Sequence, residues 1–139
     1  MAQTTFNGPV ISQNGFISGH QVTAANAINA TATATAAQVA TGYITSTSAA
    51  GTTITLPTGT LLGAALSATQ GTSLDLYIDN TAGASTVTIA VATNGILSTA
   101  AADTAGSFGD LTIAAGATGL ARFTIMFSSA TAYVFTRTA

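Results

Sequence analysis

The sequence predicts an all-β protein, an antiparallel β-sandwich of jelly-roll type with one short helix near residues 59–68 and an extended N-terminal arm. Branched and polar residues alternate with a period of two in several short runs, which places the apolar side chains of each run on one face of a strand. Turn-forming residues recur about every ten positions, which is typical of sandwiches and barrels made of short strands.

The clearest alternation lies in residues 53–91. Ile54 and Leu56 alternate with threonines, and two further alternating runs follow at 74–79 and 86–91. Residues 80–84 between these two runs contain Asn and Gly, which favours a hairpin loop longer than two residues. The stretch therefore predicts three strands, each apolar on one side, that need a second apolar layer.

A short helix is predicted directly after the first of these strands. Pro57 ends the strand because it cannot donate to a ladder, and Thr58 is a suitable helix cap. Leu61, Leu62 and Leu66 follow at helical spacing. A helix of this length is not stable alone, so its leucines are expected to cover an open end or edge of the sheets.

Further strands are expected on both sides of this stretch. Alternating Ala and Thr predict strands near 28–36 and 38–47, with a short helix over 23–38 as the alternative. Residues 92–107 are polar and rich in alanine, and we interpret them as a surface connection. Near the end, alternating aromatic residues on either side of a tight turn at 128–131 predict a hairpin, whose phenylalanines would complete the core.

The domain organisation predicted is one β-sandwich domain over residues 21–139, preceded by an arm over residues 1–20. The chain of 139 residues is long enough for one core. The first twenty residues show turn signals without a sustained period, so they form either an irregular lead-in on their own domain or an arm that binds a neighbouring subunit. The candidate interface residues of this arm are Phe6, Pro9, Val10, Phe16 and Ile17.

The low charge content narrows the possible functions. Only 4% of residues are charged, the net charge is -2, and the chain contains no Lys and no Glu. Because an average soluble domain is about a quarter charged, this composition suits a subunit of a permanent assembly better than a solitary protein. Two arginines cannot neutralise a phosphate backbone, so we expect no nucleic acid partner.

No run approaches the roughly 20 apolar residues of a membrane helix, and the N-terminus lacks a secretory signal pattern, so we expect neither membrane insertion nor export.

Candidate catalytic or metal-binding residues are few, and no enzyme activity, cofactor or metal is expected. The chain has one histidine, His20, and no cysteine, so a serine or threonine nucleophile has little choice of base. Asp75 and Asp79 lie on one side of a predicted strand about 13 Å apart, too far to share an ion. Each is expected to face solvent or to pair with an arginine. A calcium site near Asp103 or Asp110 lacks the usual spacing of acidic residues.

The order of motifs resembles small virion proteins of tailed bacteriophages. Ile54-Thr-Leu-Pro57 leads into a leucine helix, then into Gly71-Thr-Ser-Leu-Asp-Leu-Tyr-Ile-Asp-Asn80 and Thr86-Val-Thr-Ile-Ala90. Phe6-Asn-Gly-Pro-Val10 and Ser12-Gln-Asn-Gly-Phe16 also look like the start of phage head proteins. The matched segments cover residues 1–20 and 53–91, a little under half of the chain.

The resemblance implies a capsid decoration, or cement, protein. Such a subunit is commonly a trimer, and it would bind the major capsid protein on the outside of the head after synthesis in the host cytoplasm. Two alternatives remain. One is another virion part, such as a tail, fibre or spike domain or a shell or filament subunit. The other is a carbohydrate-binding β-sandwich in which Tyr43, Tyr77 and Tyr133 are stacking platforms.

Overall fold

The computed structural model describes residues 26–97 and 111–138, and this part of the chain is mostly β. Nine strands, two α-helices and one 3-10 helix are present within those ranges. In chain order they are β1 (Ala32–Thr33), α1 (Ala36–Ala40), β2 (Tyr43–Thr45), β3 (Thr52–Thr55), α2 (Gly59–Leu66), β4 (Ser73–Asp79), β5 (Val87–Ala90), β6 (Gly95–Leu97), β7 (Thr112–Ile113), the 3-10 helix (Gly116–Thr118), β8 (Leu120–Ser129) and β9 (Ala132–Arg137).

The strands form two sheets. The four-stranded sheet has the order β1-β3-β5-β7, and the five-stranded sheet has the order β2-β4-β8-β9-β6. Successive strands of the chain therefore enter the two sheets in turn, from β1 as far as β8. Within the described ranges only the last two strands, β8 and β9, are consecutive neighbours in one sheet, and they form the predicted aromatic hairpin.

The prediction of antiparallel pairing is wrong for four of the seven pairs of named strands. The pairs β1–β3, β2–β4, β3–β5 and β6–β9 are parallel, and the remaining three are antiparallel. In the pairs β1–β3, β2–β4 and β3–β5, the chain visits the other sheet between the two strands and crosses over instead of turning tightly, which permits parallel pairing. The pair β5–β7 is antiparallel although the chain visits the other sheet there too, so the alternation between sheets permits parallel pairs but does not fix them.

The hairpin predicted between β4 and β5 is also wrong, because residues 80–85 cross from one sheet to the other. Asn80 at the end of β4 is fully buried, and its side-chain Nδ2 donates to the carbonyls of Ser85 at 2.9 Å and Ala114 at 3.0 Å. Its backbone N–H donates to the carbonyl of Gly119 at 2.7 Å. The Asn of this loop signal is therefore buried at a crossover between the sheets, while Thr81, Ala82 and Ala84 after it are exposed.

One hydrophobic cluster receives side chains from both sheets, as the alternating runs predict. The four-stranded sheet contributes residues such as Ile54 and Ile89, and the five-stranded sheet contributes Leu76 and Ile78. The aromatic hairpin adds the largest groups, which are Phe123, Phe127, Tyr133 and Phe135. The rings of Phe123 and Phe135 stack with centroids 4.8 Å apart, an arrangement that adds to their burial.

Helix α1 replaces part of the strand predicted over 38–47. Thr35 caps it through a capping box: its side chain accepts from the N–H of Gln38 at 3.1 Å, and the Gln38 side chain accepts from the N–H of Thr35 at 2.9 Å. Gly42 with a φ of 72° follows and lets the chain turn into β2. Thr35 and Gln38 have the spacing of a capping box in the sequence. The alternating threonines that precede them favour a strand instead. The strand predicted over 28–36 contracts to the two residues of β1.

Helix α2 confirms the predicted helix near 59–68, with Thr58 as its cap. Leu62 is buried in the core while Leu61 is exposed. The helix packs on α1 and on the hairpin. Gly59 and Gly63 face the turn between β8 and β9 so closely that a Cβ on either would overlap a backbone carbonyl oxygen of that turn. The two glycines are therefore required for the approach of the helix.

Of the connection predicted over 92–107, residues 98–107 lie outside the described ranges. Residues 95–97 form β6, which extends the five-stranded sheet beyond β9 in parallel. The ring of Tyr133 lies directly below Gly95, and a Cβ there would come within 2.7 Å of it. The missing side chain thus lets this edge strand sit on the aromatic hairpin.

The substitution Asn80→Ala is expected to lower the free energy of unfolding by about 2 to 4 kcal/mol, because buried carbonyls lose their donor. Asn29→Ala is the matched control. Asn29 accepts from the N–H of Thr47 at an exposed site, where water can replace it, so its loss should cost under about 1 kcal/mol. Urea unfolding of both variants measures the difference, and equal losses would contradict the role given to Asn80.

The substitution Gly63→Ala is expected to destabilise the protein by about 1 to 3 kcal/mol, despite the better helix propensity of alanine, because the new Cβ meets the carbonyl oxygen of Ala130. Thr60→Ala in the same helix is exposed and should be neutral or slightly stabilising. Thermal unfolding of the two variants compares them directly. A stabilised Gly63→Ala variant would show that helix and turn do not pack as described.

Candidate functional site

The residues singled out from the sequence as an interface lie outside the described ranges. These are Phe6, Pro9, Val10, Phe16 and Ile17. The same holds for His20, Asp103 and Asp110, so the structure does not test the arm or an ion site near the two aspartates. The candidate site must therefore be built from surfaces within residues 26–97 and 111–138.

The outward face of the five-stranded sheet carries the most varied chemistry. Its side chains follow from the strand register, in which Tyr43 of β2 is the partner of Tyr77 of β4, and Tyr77 is the partner of Arg122 of β8. Met126 of β8 lies on the same side, four residues further along. The face thus has a polar half towards β2 and an apolar half towards β6.

The polar half is linked by hydrogen bonds within the sheet. The Tyr43 hydroxyl donates to Oδ2 of Asp79 at 2.6 Å, and Thr81 donates to Oδ1 of the same carboxylate through its N–H at 2.9 Å and its hydroxyl at 2.6 Å. These donors, those of Thr81 first, lower the pKa of Asp79 below its ordinary value. The same bond to Asp79 raises the pKa of Tyr43, and burial raises it further.

The other charged groups of this half also have partners in neighbouring strands. Asp75 accepts from the hydroxyl of Thr124 at 2.9 Å, and Arg122 donates from Nε to the hydroxyl of Thr138 at 3.2 Å. The two aspartates thus accept hydrogen bonds from hydroxyl groups, where an arginine was one of the partners expected. The charged side chains of the polar half are therefore already hydrogen-bonded within the domain.

The apolar half is a row of three side chains on adjacent strands, which we call the apolar row: Met126 of β8, Val134 of β9 and Ile96 of β6. They are register partners across the sheet. Ile96 is 56% exposed and Met126 is 52% exposed, while Val134 is partly buried. Met126 and Val134 also line a shallow depression with Gln70 and Gly71. Adjacent exposed apolar groups of this kind are typical of a contact surface.

The third tyrosine cannot serve as an exposed stacking platform. Tyr133 is fully buried, and its hydroxyl donates to the carbonyl of Pro57 at 2.9 Å. Burial raises the pKa of Tyr133 to about 12. Of the three tyrosines considered for carbohydrate binding, Tyr43 and Tyr77 alone lie on an outward face, next to each other.

The four-stranded sheet has a different outward face. Its strands contain no charged residue, and threonines recur at the outward positions of β3 and β5. The register aligns Thr53, Thr88 and Thr112 in one row across three strands. This surface presents hydroxyl and methyl groups without ions.

Neither a membrane-spanning helix nor a metal cluster lies within the described ranges. No helix there is long and apolar enough to cross a bilayer, and no three His, Cys, Asp or Glu side chains are grouped to hold an ion.

The apolar row was missed in the sequence for identifiable reasons. Ile96 fell in a stretch interpreted as a surface connection, and Met126 occupies the outward position of a strand whose inward residues dominate the pattern. A signal was nevertheless present, since Met126 and Val134 stand at outward positions where Thr or Ser are otherwise usual. A single exposed apolar residue is ordinary, and it is the grouping of three such residues in the strand register that makes this surface a candidate contact site.

The substitution Asp79→Asn is expected to lower stability at neutral pH by about 0.5 to 1 kcal/mol, because the site is exposed enough for solvent to screen the bonds. A lowered pKa in the folded state contributes stability above the ordinary carboxyl pKa, and this stability is lost as the pH falls through the folded value. The variant should therefore lose less stability than the parent chain between about pH 5 and pH 2.

Asp75→Asn is the control, because Asp75 accepts from one hydroxyl only among the bonds described. It should keep the loss of stability on acidification. Urea unfolding at a series of pH values measures both variants. An Asp79→Asn variant with the same acid dependence as the parent would show that this carboxylate is not stabilised by its neighbours.

Comparisons of the chain with protein-family models, curated proteins and solved structures find no match. What the candidate site can do therefore follows from its side chains alone. It offers an apolar row, a hydrogen-bonded polar half with two adjacent tyrosines, and an uncharged threonine face on the other sheet.

Proposed function

We propose that this protein is a non-enzymatic structural subunit of a virion, a capsid decoration or cement protein of a tailed bacteriophage. It would be made in the host cytoplasm and would bind the exterior of the head through the major capsid protein. Copies would associate with each other, with a trimer as the favoured form. The proposal takes the phage origin from the resemblance of the sequence motifs and the mode of action from the surfaces.

The observation that carries the proposal is that the surfaces have few charged side chains and also expose apolar groups. The described ranges contain four charged residues, Asp75, Asp79, Arg122 and Arg137, and each is hydrogen-bonded to a neighbour in the same domain. Burying ions at an interface costs desolvation energy, so a surface with few ions can be covered by a partner at low cost. The apolar row supplies the area from which such contact gains energy.

The proposed architecture is a β-sandwich in which the two sheets face each other across their shared cluster. This arrangement leaves two outward faces, and a subunit that binds both its own copies and a shell needs two distinct surfaces. The threonine face of the four-stranded sheet fits contact with a shell, since methyl and hydroxyl groups pack without leaving buried charges unpaired. The predicted arm, with Phe6 and Phe16 as anchors, would add contacts between copies.

Other virion parts remain the nearest alternative, because a tail, fibre, spike or shell subunit would share the same composition. A carbohydrate-binding function is the second candidate, and one observation favours it. Tyr43 and Tyr77 are register partners on an outward face, with Asp75 and Arg122 nearby to hydrogen-bond hydroxyl groups. A glycan array, repeated with Tyr43→Ala and Tyr77→Ala, tests it: binding that both substitutions abolish would replace the assembly proposal.

The assembly proposal is tested with the full chain and with heads of the source phage that lack it. Sedimentation velocity should find a closed small oligomer, and cryo-electron microscopy of heads incubated with the protein should find it at fixed exterior positions. Deleting residues 1–18 should leave a folded domain that associates more weakly. Phe16→Ala should weaken association by about 1 to 3 kcal/mol if it is an anchor.

The control for the deletion is circular dichroism and thermal unfolding of the shortened chain, which separate lost association from lost folding. Open-ended polymers would indicate a filament subunit, and binding to host receptors would indicate a fibre. A monomer that leaves heads undecorated would refute the proposal.

A further inference from the structure

We propose that the apolar row of Met126, Val134 and Ile96 is the docking site for the N-terminal segment, residues 5–18, of a second copy of this chain. The inference rests on the proposed function, because it names the surface through which copies associate. It identifies the surface on which the N-terminal segment of the other copy would bind, which the sequence alone did not indicate.

The row reaches one edge of the sheet. Among the described strands, β6 is the last in the order β2-β4-β8-β9-β6, so Ile96 lies on an edge strand of that sheet. A segment that lies across the row can therefore continue to this edge, where its backbone can pair with β6. The exposure of Ile96 and Met126 provides the apolar area that such a segment would cover.

The N-terminal segment joins the domain at the β2 edge of the five-stranded sheet, opposite to β6. Twenty-five residues precede Asn26, and Ala27 forms a parallel bridge with Thr45 of β2, at the opposite edge of the same sheet. Five strand spacings of about 4.8 Å separate this bridge from β6, or about 24 Å. The segment thus enters the sheet at one edge, and the apolar row lies at the other.

The polar half of the face indicates which copy supplies the segment. To reach its own row, the segment would have to cross this half, where covering the charged groups of Asp75, Asp79 and Arg122 costs desolvation energy. In a head-to-tail arrangement, the entry edge of one copy faces the β6 edge of the next, and the contact repeats identically until a ring closes. The geometry therefore favours the neighbouring copy.

The N-terminal segment and the apolar row have complementary chemistry, since both are apolar and uncharged. Residues 1–25 contain no Asp, Glu, Lys or Arg, and their large apolar residues are Phe6, Val10, Ile11, Phe16 and Ile17, with Val22 nearer the domain. The row and the depression beside it also contain no charged side chain. Two uncharged surfaces can associate without the desolvation penalty of ions.

Photo-crosslinking tests the contact directly. A benzoylphenylalanine placed at Met126 in isotopically labelled chain is mixed with unlabelled chain, irradiated and digested with chymotrypsin, since no lysine or arginine precedes Arg122. The expected product joins the probe to residues 5–18 of the unlabelled copy. The same probe at Leu61, an equally exposed apolar residue on α2, is the control and should not reach this segment.

A double variant, Met126→Thr with Val134→Thr, tests the energetic contribution. It replaces two of the three side chains of the row by threonine, which is common at the other outward positions, so the fold should persist. Unfolding curves check that the variant is folded. Self-association measured by sedimentation should weaken at least about tenfold. Leu61→Gln, which removes an apolar group of similar exposure elsewhere, should leave association unchanged.

Several results would overturn the inference. Crosslinks confined to one labelled copy would place the segment on its own domain. A closed oligomer without crosslinks to residues 5–18 would assign the contact to another surface and leave the proposed function standing. A double variant that still oligomerises but no longer decorates heads would assign the row to the shell. A monomeric parent chain that decorates no heads would remove the proposed function as well.

Discussion

The buried amide of Asn80 is the constraint on which the arrangement of the two sheets depends. It stands where the chain leaves β4 for the other sheet, and it binds the segment that enters β5, the segment that leaves β7 and the segment that begins β8. An apolar residue there would leave several carbonyls without donors in a site closed to water. Asn80 therefore joins the two connections that pass between the sheets here, from β4 to β5 and from β7 to β8.

This junction explains why the chain can alternate between sheets and still close one core. The crossings that lead to β3, β4 and β5 each place the new strand parallel to one already in its sheet, without a long helix between them, as β3 and β5 show. The helices close the ends instead, with Gly63 of α2 pressed against the turn of the final hairpin. The aromatic side chains of that hairpin then fill the space that the aliphatic strands leave.

Much of this fold could be predicted from the sequence, but the pairing of strands could not. A period of two is a local property, and it correctly gave the inward positions of β3, β4, β8 and β9, as well as the cap and leucines of α2. Which strand lies next to which depends on contacts far apart in the chain, such as that of Asn80 with Ala114. The apolar row depends on the same long-range register, because Met126, Val134 and Ile96 become neighbours only once β6 joins β9.

The division of the outward face follows from the same register and gives its halves different roles. Asp79 and Arg122 are satisfied by Tyr43, Thr81 and Thr138, so a partner covering them would have to compete with bonds that already exist. The apolar row offers no bonds to break, and water leaves it at no electrostatic cost. In the association proposed here, most of the gain would therefore come from the apolar row at the β6 edge. Since the described ranges hold only four charged residues, the strand register that exposes apolar groups at this edge would decide where such contacts form.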